Sequence, residues 1–238
     1  MAKSNGSVLV IGDVHEPWSH GPTLEKIYAA VEEIKPDVVL QIGDLRDLYS
    51  FSRYPVNPNA ITPEREIDRG TAACTKMWER VRKANPKARR IQLLGNHDER
   101  PSKRLSETLP ACKLLAAPTL KALFEFPGVE THHDPAQEFF LNTAAGEVCF
   151  MHGHRAKLGD HAKYNQMPTV CGHSHQGGVV YLRHKSKVFW ELNAGWCGDE
   201  TAPVFKYGNQ RALKTWTRGF GLIDSRGPRF VSLTGGSR

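Results

Sequence analysis

The sequence predicts an α/β fold built on a mixed β-sheet core. Three observations predict it. Short β-branched apolar runs recur and each breaks at a glycine or a burst of polar residues. Helical patterns alternate with the first three of these runs, as parallel strands require. The second half of the chain trades helix for hairpin-like strand pattern, which makes the sheet content mixed.

Taken in order, residues 7–11 (SVLVI), 38–42 (VVLQI), 90–94 (RIQLL), 148–151 (VCFM), 168–171 (PTVC) and 188–192 (VFWEL) read as buried strands. Each is four or five residues of continuous apolar or β-branched character followed by a loop signal. Leu24, Ile27, Tyr28, Val31 and Ile34 recur at spacings of three and four and line one helix face. Pro22 suits that helix's first turn and Pro36 stops it. A second helix is expected from Thr62-Pro63 to Asn85-Pro86, carrying Ile67, Cys74, Met77, Trp78 and Val81. Residues 181–190 and 220–233 read as hairpin strands. Residues 46–62 form a loop rich in Pro, Asn and aromatics after the second strand, placed to cover a site at the strand ends.

With 238 residues, 39% of them hydrophobic, the chain can bury one large core, and residues 1–238 are expected to form a single domain. No apolar run approaches the roughly 18 residues of a membrane helix, so no membrane partner is expected. The opening MAKSNGSVLVIGD passes too quickly from apolar to acidic for a secretory signal and reads as the first core strand of a cytoplasmic protein. Cys74, Cys112, Cys149, Cys171 and Cys197 are odd in number and never spaced as C-x-x-C, which excludes a disulfide framework or zinc ribbon as the organising device. The net charge of +7 is compatible with a polyanionic partner.

The chemistry lies at the strand ends, where open α/β sheets bind ligands. Five successive ends present Asp13 and His15, then Asp44, then Asn96, then His152, then His173 and His175. One such Asp or His is ordinarily a turn, cap or satisfied polar residue; five in register with strand ends point to metal. Imidazole mixed with carboxylate and amide oxygen suits Mn, Fe, Co, Ni or Zn and is poor for Ca. Seven groups exceed one ion's needs, so two ions sharing a carboxylate are expected. Two divalent ions against two carboxylates leave positive charge that attracts phosphate and acidifies a bound water into a hydroxide nucleophile.

These residues resemble the calcineurin-like metallophosphoesterase superfamily, whose pattern is D-x-H, GD-x-x-D, GNH[DE], His-Gly and GH-x-H. The matching segments are Asp13-Val14-His15, Gly43-Asp44-Leu45-Arg46-Asp47, Gly95-Asn96-His97-Asp98, His152-Gly153-His154 and Gly172-His173-Ser174-His175. They keep the family's order over residues 12–175. The resemblance implies a four-layer α/β/β/α sandwich, two mixed sheets face to face with helices outside. It implies that Asp13, His15 and His175 hold one metal, Asn96, His152 and His173 the other, and that Asp44 bridges them. Mn²⁺ is the leading ion, with Fe, Ni, Co and Zn as alternatives. His97 is implied to sit beside the substrate phosphate as a catalytic residue, oriented by Asp98. His154 then becomes a supporting or phosphate-contacting residue. Asp47 either orients the metal donors or caps a helix in solvent. Asn193-Ala194-Gly195 resembles the family's Asn-Pro-Gly strand end, with Ala in place of Pro.

The leading expectation for substrate is a phosphodiester of nucleic acid, DNA or RNA, or of nucleotides. It rests on the basic balance, on the cations of residues 76–90 (Lys76, Arg80, Arg82, Lys83, Lys87, Arg89, Arg90), on Arg100, Lys103 and Arg104 after the GNHD segment, and on Lys206, Arg211, Lys214 and Arg218 interleaved with Tyr207, Trp216 and Phe220. The competing readings are a wet helix face for residues 76–90 and a core role for Trp216 and Phe220. Asn96, Arg100, His154 and Arg155 are the candidate substrate contacts. A phosphomonoesterase for a phosphoprotein or small metabolite, gripping a terminal phosphate with Arg53/Tyr54 or Arg155, is the second reading, and a metal-free scaffold the third. No obligate protein partner is evident from the sequence.

Overall fold

Strand pairing in the computed structural model, which describes residues 6–57, 59–108, 116–205 and 213–234, yields two sheets. The first has the order β11-β10-β1-β2-β3-β4, with β1 (Val8–Ile11), β2 (Val38–Gln41), β3 (Arg89–Leu93) and β4 (Glu130–His132) mutually parallel. The hairpin of β10 (Gly219–Asp224) and β11 (Gly227–Ser232) closes one edge antiparallel to β1. The second sheet has the order β5-β6-β7-β9-β8, in which β6 (Gly146–Phe150), β7 (Thr169–Cys171) and β9 (Lys187–Asn193) run parallel. Strands β5 (Phe139–Thr143) and β8 (Gly178–His184) flank them antiparallel.

Side-chain alternation explains why the first strands read as unbroken apolar runs. Leu9, Ile11 and Val39 pack toward α1 (Gly21–Ile34) and α2 (Pro63–Ala84), against Ile27, Val31, Met77 and Trp78. Val8, Val10, Val38 and Leu40 point the other way and meet Val148, Phe150, Val170 and Leu192 of the second sheet. Both faces are dry, so most positions select an apolar residue, with Gln41 and Gln92 as buried polar exceptions. A short helix, α5 (Asp160–Asn165), lies on β7 and β9 and makes the thin fourth layer. The four-layer sandwich expected from the resemblance is thus the observed architecture.

Helix ends follow local chemistry. Pro22 occupies the first turn of α1, whose end is closed by Lys35 in the left-handed conformation. The Thr62 side chain accepts from the Arg65 N–H to cap α2, with Glu64 and Glu66 in its first turn and Arg82 and Lys83 in its last, matching the helix dipole. Helices α3 (Arg100–Thr108) and α4 (Ala116–Phe124) follow β3. Neither was expected: in α3 (RPSKRLSET) Leu105 is the one large apolar side chain. Strands β4 and β5 were missed as well: β4 spans three residues and β5 (FFLNT) is interrupted by polar positions. Among the described residues, no helix is long and apolar enough to cross a membrane.

Candidate metal centre

Parallel pairing places the carboxyl ends of β1, β2 and β3 together, and those of β6 and β7 together. The loops beyond them meet. Donor atoms of Asp13, His15 and His175 lie within 4.8 Å of one another, as do those of Asp13, Asp44 and His152. Asn96 Oδ1 is 2.8 Å from His173 Nδ1 and 3.1 Å from His152 Nε2. Asp44 Oδ2 is 3.3 Å from His152 Nε2, and the same carboxylate groups with His15 and His97. All seven nominated donors therefore face one small volume, and Asp44 touches both halves of it.

The backbone is bent to achieve this. Eight described non-glycine residues have positive φ, and four of them are His15, Asp44, His173 and His175. Such conformations cost about 1–3 kcal/mol each and persist where the surroundings over-determine them. Gly43, at φ 108°, is forced for a second reason: a Cβ there would fall 2.6 Å from His152 Nδ1.

Hydrogen bonds set the imidazole tautomers. His15 Nδ1 donates to Asp47 Oδ2 at 3.0 Å, and His152 Nδ1 donates to the Ile42 carbonyl at 3.2 Å. Once deprotonated, each ring would present a bare Nε2 to the centre, the arrangement by which supporting groups orient metal-binding histidines. His15 Nε2 meets His175 Nε2 at 3.1 Å, and His175 Nε2 is 3.0 Å from Asp13 Oδ2. Asp13 Oδ1 and His175 Nδ1 are buried with no hydrogen-bond partner. A cluster so rich in lone pairs needs a positive species inside it. In the metal-free protein protons serve: burial pulls the His152 pKa down, but Asp44 outweighs burial and pushes it up to about 10. Burial would raise Asp44 in turn, yet His152 and His97 hold it well below the usual carboxylate range. A divalent cation would displace that proton, and the N/O donor set suits a borderline metal. The residues present fit divalent metal.

His97 stands at the rim, its side chain 13% exposed. Its backbone N–H donates to Asp44 Oδ1 at 2.8 Å and its Nδ1 donates to the Asp47 carbonyl at 3.1 Å. Arg100 Nη2 donates to Nε2 at 3.0 Å, while Arg100 Nη1 reaches the Asp47 carbonyl at 2.8 Å. Burial lowers the His97 pKa, but Asp44 and Asp47 outweigh both burial and Arg100, so it ends above its ordinary value. Nε2 accepts from Arg100 in this arrangement, so it can take a proton only when Arg100 turns away, and the Arg100 bond favours the deprotonated ring.

The expectation that Asp98 orients His97 is not what the structure shows. Asp98 is fully buried and accepts the N–H groups of Gly95 (2.8 Å), Arg46 (2.9 Å) and Leu45 (3.2 Å). It clips the loop after β3 to the loop after β2, and Asp47 orients His97 instead. Residues 96–99 form a turn, so neighbours in sequence point apart there. Asp47 is a fully buried supporting group rather than a solvated cap: burial would raise its pKa, but His97 and His15 hold it well below the carboxylate range.

His152, the first of its pair, lies in the centre, while His154 lies exposed outside it. The loop between them is held by residues the sequence reading missed. His161 Nε2 accepts the N–H groups of His154 and Arg155, both at 3.1 Å, from beneath Gly153. Glu191, buried on β9, accepts those of Gly159, His161 and Ala162 at 2.7–2.8 Å and so caps α5. Glu191 leaves a trace in sequence as a charge inside the apolar run 188–192, whereas His161 sits among polar neighbours and leaves none. Asn193 supports the last segment, donating to the Gly172 carbonyl at 2.6 Å and accepting from Gly195 N–H at 2.9 Å.

Aromatic rings wall the His15/His175 side. Trp196 stacks on His175 with centroids 5.3 Å apart, Trp216 meets the same ring edge-on at 4.2 Å, and Phe205 meets His15 at 5.5 Å. Residues 46–57 contribute through Tyr49, which is buried in the same cluster, and Arg46, buried and bonded to the carbonyls of Ile67 and Leu123. Arg53 and Tyr54 stay at the surface, paired with each other.

Of the cations expected to track a polyanion, Arg100 is at the rim of the centre and Lys103 lines the groove beside it, while those of residues 76–90 lie elsewhere. Because α2 returns antiparallel to the strands, residues 76–90 end at the amino pole of β3, opposite the centre. Several are engaged there: Arg80 with Glu25, Arg89 with Glu130 and Arg90 with the Gly128 carbonyl. Lys103 pairs with Glu99, Arg104 with the Phe51 and Ser52 carbonyls, and Arg218 with Glu200. Phe220 is core. Lys206, Tyr207 and Arg211, like Cys112, lie outside the described residues.

The family model for calcineurin-like phosphoesterases matches residues 6–191. The chain belongs to that family. It is a hydrolase of phosphate esters, in a family that uses divalent metal ions. The gene 54 protein of Mycobacterium phage D29 is 28% identical over 250 residues, covering 96% of this chain and 94% of its own. Among solved structures, YfcE, a phosphoesterase from E. coli, is 17% identical with a TM-score of 0.47 over 97% of this chain and 95% of its own. A single mutant of Vps29 from Entamoeba histolytica is 14% identical with a TM-score of 0.48 over 97% and 94%.

Proposed function

We propose that this family member is a dinuclear-metal phosphodiesterase acting on a nucleotide-type ester. The observation that supports it most is the convergence of two sets of bare lone pairs on the shared carboxylate of Asp44. Two divalent ions held there, Mn²⁺ foremost, would supply an activated water and an electrophilic clamp on the phosphate oxygens. Asp13, His15 and His175 would hold one ion and Asn96, His152 and His173 the other. Asp47 and the Ile42 carbonyl fix the imidazoles of His15 and His152 for that task. Once Arg100 gives up its bond to Nε2, His97 would carry a proton there and deliver it to the leaving oxygen, and the returning Arg100 would favour the deprotonated ring.

Charge balance favours a diester. Asp13 and Asp44 offset half the charge of two divalent ions, and the Asp47 charge is matched by Arg100. The surplus is neutralised by one hydroxide and one singly charged ester, whereas a monoester dianion exceeds it. The test compares bis(p-nitrophenyl) phosphate with p-nitrophenyl phosphate on Mn²⁺-loaded protein. Faster turnover of the diester is expected. The reverse preference would reassign the protein to phosphoproteins or small phosphorylated metabolites, and failure of the loaded protein to retain any metal would make it a scaffold.

A further inference from the structure

Beside the metal centre lies a groove of about 720 Å³, within the size range of small-molecule sites. Its lining joins two of the candidate metal donors, Asn96 and His152, to Arg155 and Tyr164, and to Asp134 and Glu138 from the segment leading into β5. Tyr164 projects from α5 with 76% of its surface exposed, and the Arg155 guanidinium sits over its ring at 5.5 Å. A large aromatic face left in water, next to a cation and within a groove that reaches the site of chemistry, is a platform for a planar ring.

The charges lining the groove narrow the class of ring. Lys103 is paired with Glu99, which leaves Arg155 against Asp134 and Glu138, both exposed. A run of phosphates laid along this surface would meet a lining that is not positive overall, and the larger basic cluster stands at the opposite pole. An uncharged base meets no such penalty. Carboxylates accept hydrogen bonds and cannot donate them, so they favour bases that carry an exocyclic amino group.

We infer that this groove receives the nucleoside half of a phosphodiester, its base stacked on Tyr164 and its amino edge turned to Asp134 and Glu138. The inference rests on the phosphodiesterase reading above and names the substrate class: a short nucleotide diester rather than a long polynucleotide tracked by its backbone.

The experiment uses the full chain loaded with Mn²⁺ and two chromogenic diesters with the same leaving group, the p-nitrophenyl ester of adenosine 5′-phosphate and methyl p-nitrophenyl phosphate. The readout is the ratio of their kcat/KM values. The wild-type ratio should be at least about fivefold in favour of the nucleotide, given about 1–3 kcal/mol for stacking one base. Tyr164→Ala should lower that ratio by about 5- to 150-fold through the KM of the nucleotide ester, and Tyr164→Phe should restore it. Because Tyr164 is exposed, neither change threatens the core. If both esters turn over with a ratio near one, or if Tyr164→Ala leaves the ratio where it was, the groove assignment is overturned and the phosphodiesterase reading stands. If neither diester turns over while p-nitrophenyl phosphate does, the phosphodiesterase reading has failed and takes this one with it.

Discussion

Removing the Asp47 carboxylate separates metal support from proton transfer. Its Oδ2 accepts from His15 Nδ1 at 3.0 Å and lies 3.5 Å from His97 Nδ1, and its Oδ1 lies 3.3 Å from Arg100. The carboxylate is buried and held ionised, so the His15 bond is charge-assisted and contributes about 1.5–3 kcal/mol. That corresponds to about 10- to 150-fold, in line with the roughly 10- to 100-fold effect of removing groups that orient metal-binding histidines. Asp47→Ala should therefore weaken the site built from Asp13, His15 and His175 by that factor while sparing the one built from Asn96, His152 and His173. His97 and Arg100 keep the Asp47 carbonyl, a backbone atom, so turnover at saturating metal should fall less than affinity does. Asp47→Asn keeps a neutral acceptor, with bonds about half as strong, and should lie between Asp47→Ala and wild type. Calorimetric Mn²⁺ titration with metal analysis of the dialysed protein reads both sites. Two ions bound by Asp47→Ala with wild-type affinity would refute the reasoning, and so would equal weakening at both sites.

Other perturbations test the remaining roles. His97→Ala should retain both metals and lose about 10²–10⁴-fold in turnover, whereas Asn96→Ala and Asp44→Asn should lose metal; equal metal loss in all three, measured by metal analysis, would show His97 to be a ligand. Asp98→Ala strips three buried N–H groups of their acceptor and should cost about 3–9 kcal/mol in denaturant melts at about 1–3 kcal/mol per unsatisfied group, while Asp98→Asn, which keeps one acceptor oxygen, should cost less. For Glu191, burial would raise the pKa, but His161 and the N–H groups of Ala162 and Gly159 hold it below its ordinary 4.5. Its folded pKa is thus below its unfolded one, and its stabilisation is present above pH 4.5 and lost as pH falls through the folded value. Glu191→Gln should lower Tm at neutral pH and flatten the acid side of the Tm–pH curve; an unchanged acid limb would remove Glu191 from that role.

Much of this was legible in the sequence because strand ends are marked twice, by the close of an apolar run and by a glycine. Asp13, His15, Asp44, Asn96, His152, His173 and His175 each follow such a mark, and parallel pairing leaves them nowhere to go but one pole. Side-chain direction inside a turn carries no such mark. Asp98 looks like the partner of His97 because it is adjacent, yet the turn sends one to the rim and the other into the core. Asp47, three residues past the second strand end, supplies the support that adjacency assigned to Asp98. Charge composition carries no position: a basic helix that returns to the start of the next strand delivers its cations to the pole opposite the centre. Helix α3 escaped notice because its stability comes from contacts of α4 and the loop before it, not from its own apolar stripe.

Trp196 and Trp216 on the His175 ring give the protein an intrinsic optical reporter. Indole emission is quenched by open-shell ions at short range, and both indoles lie within 5.3 Å of a ring that would carry one. Filling the adjacent site with Mn²⁺ or Co²⁺ should dim the fluorescence and filling it with Zn²⁺ should not. Occupancy of the centre can then be followed in the cuvette, without label or substrate.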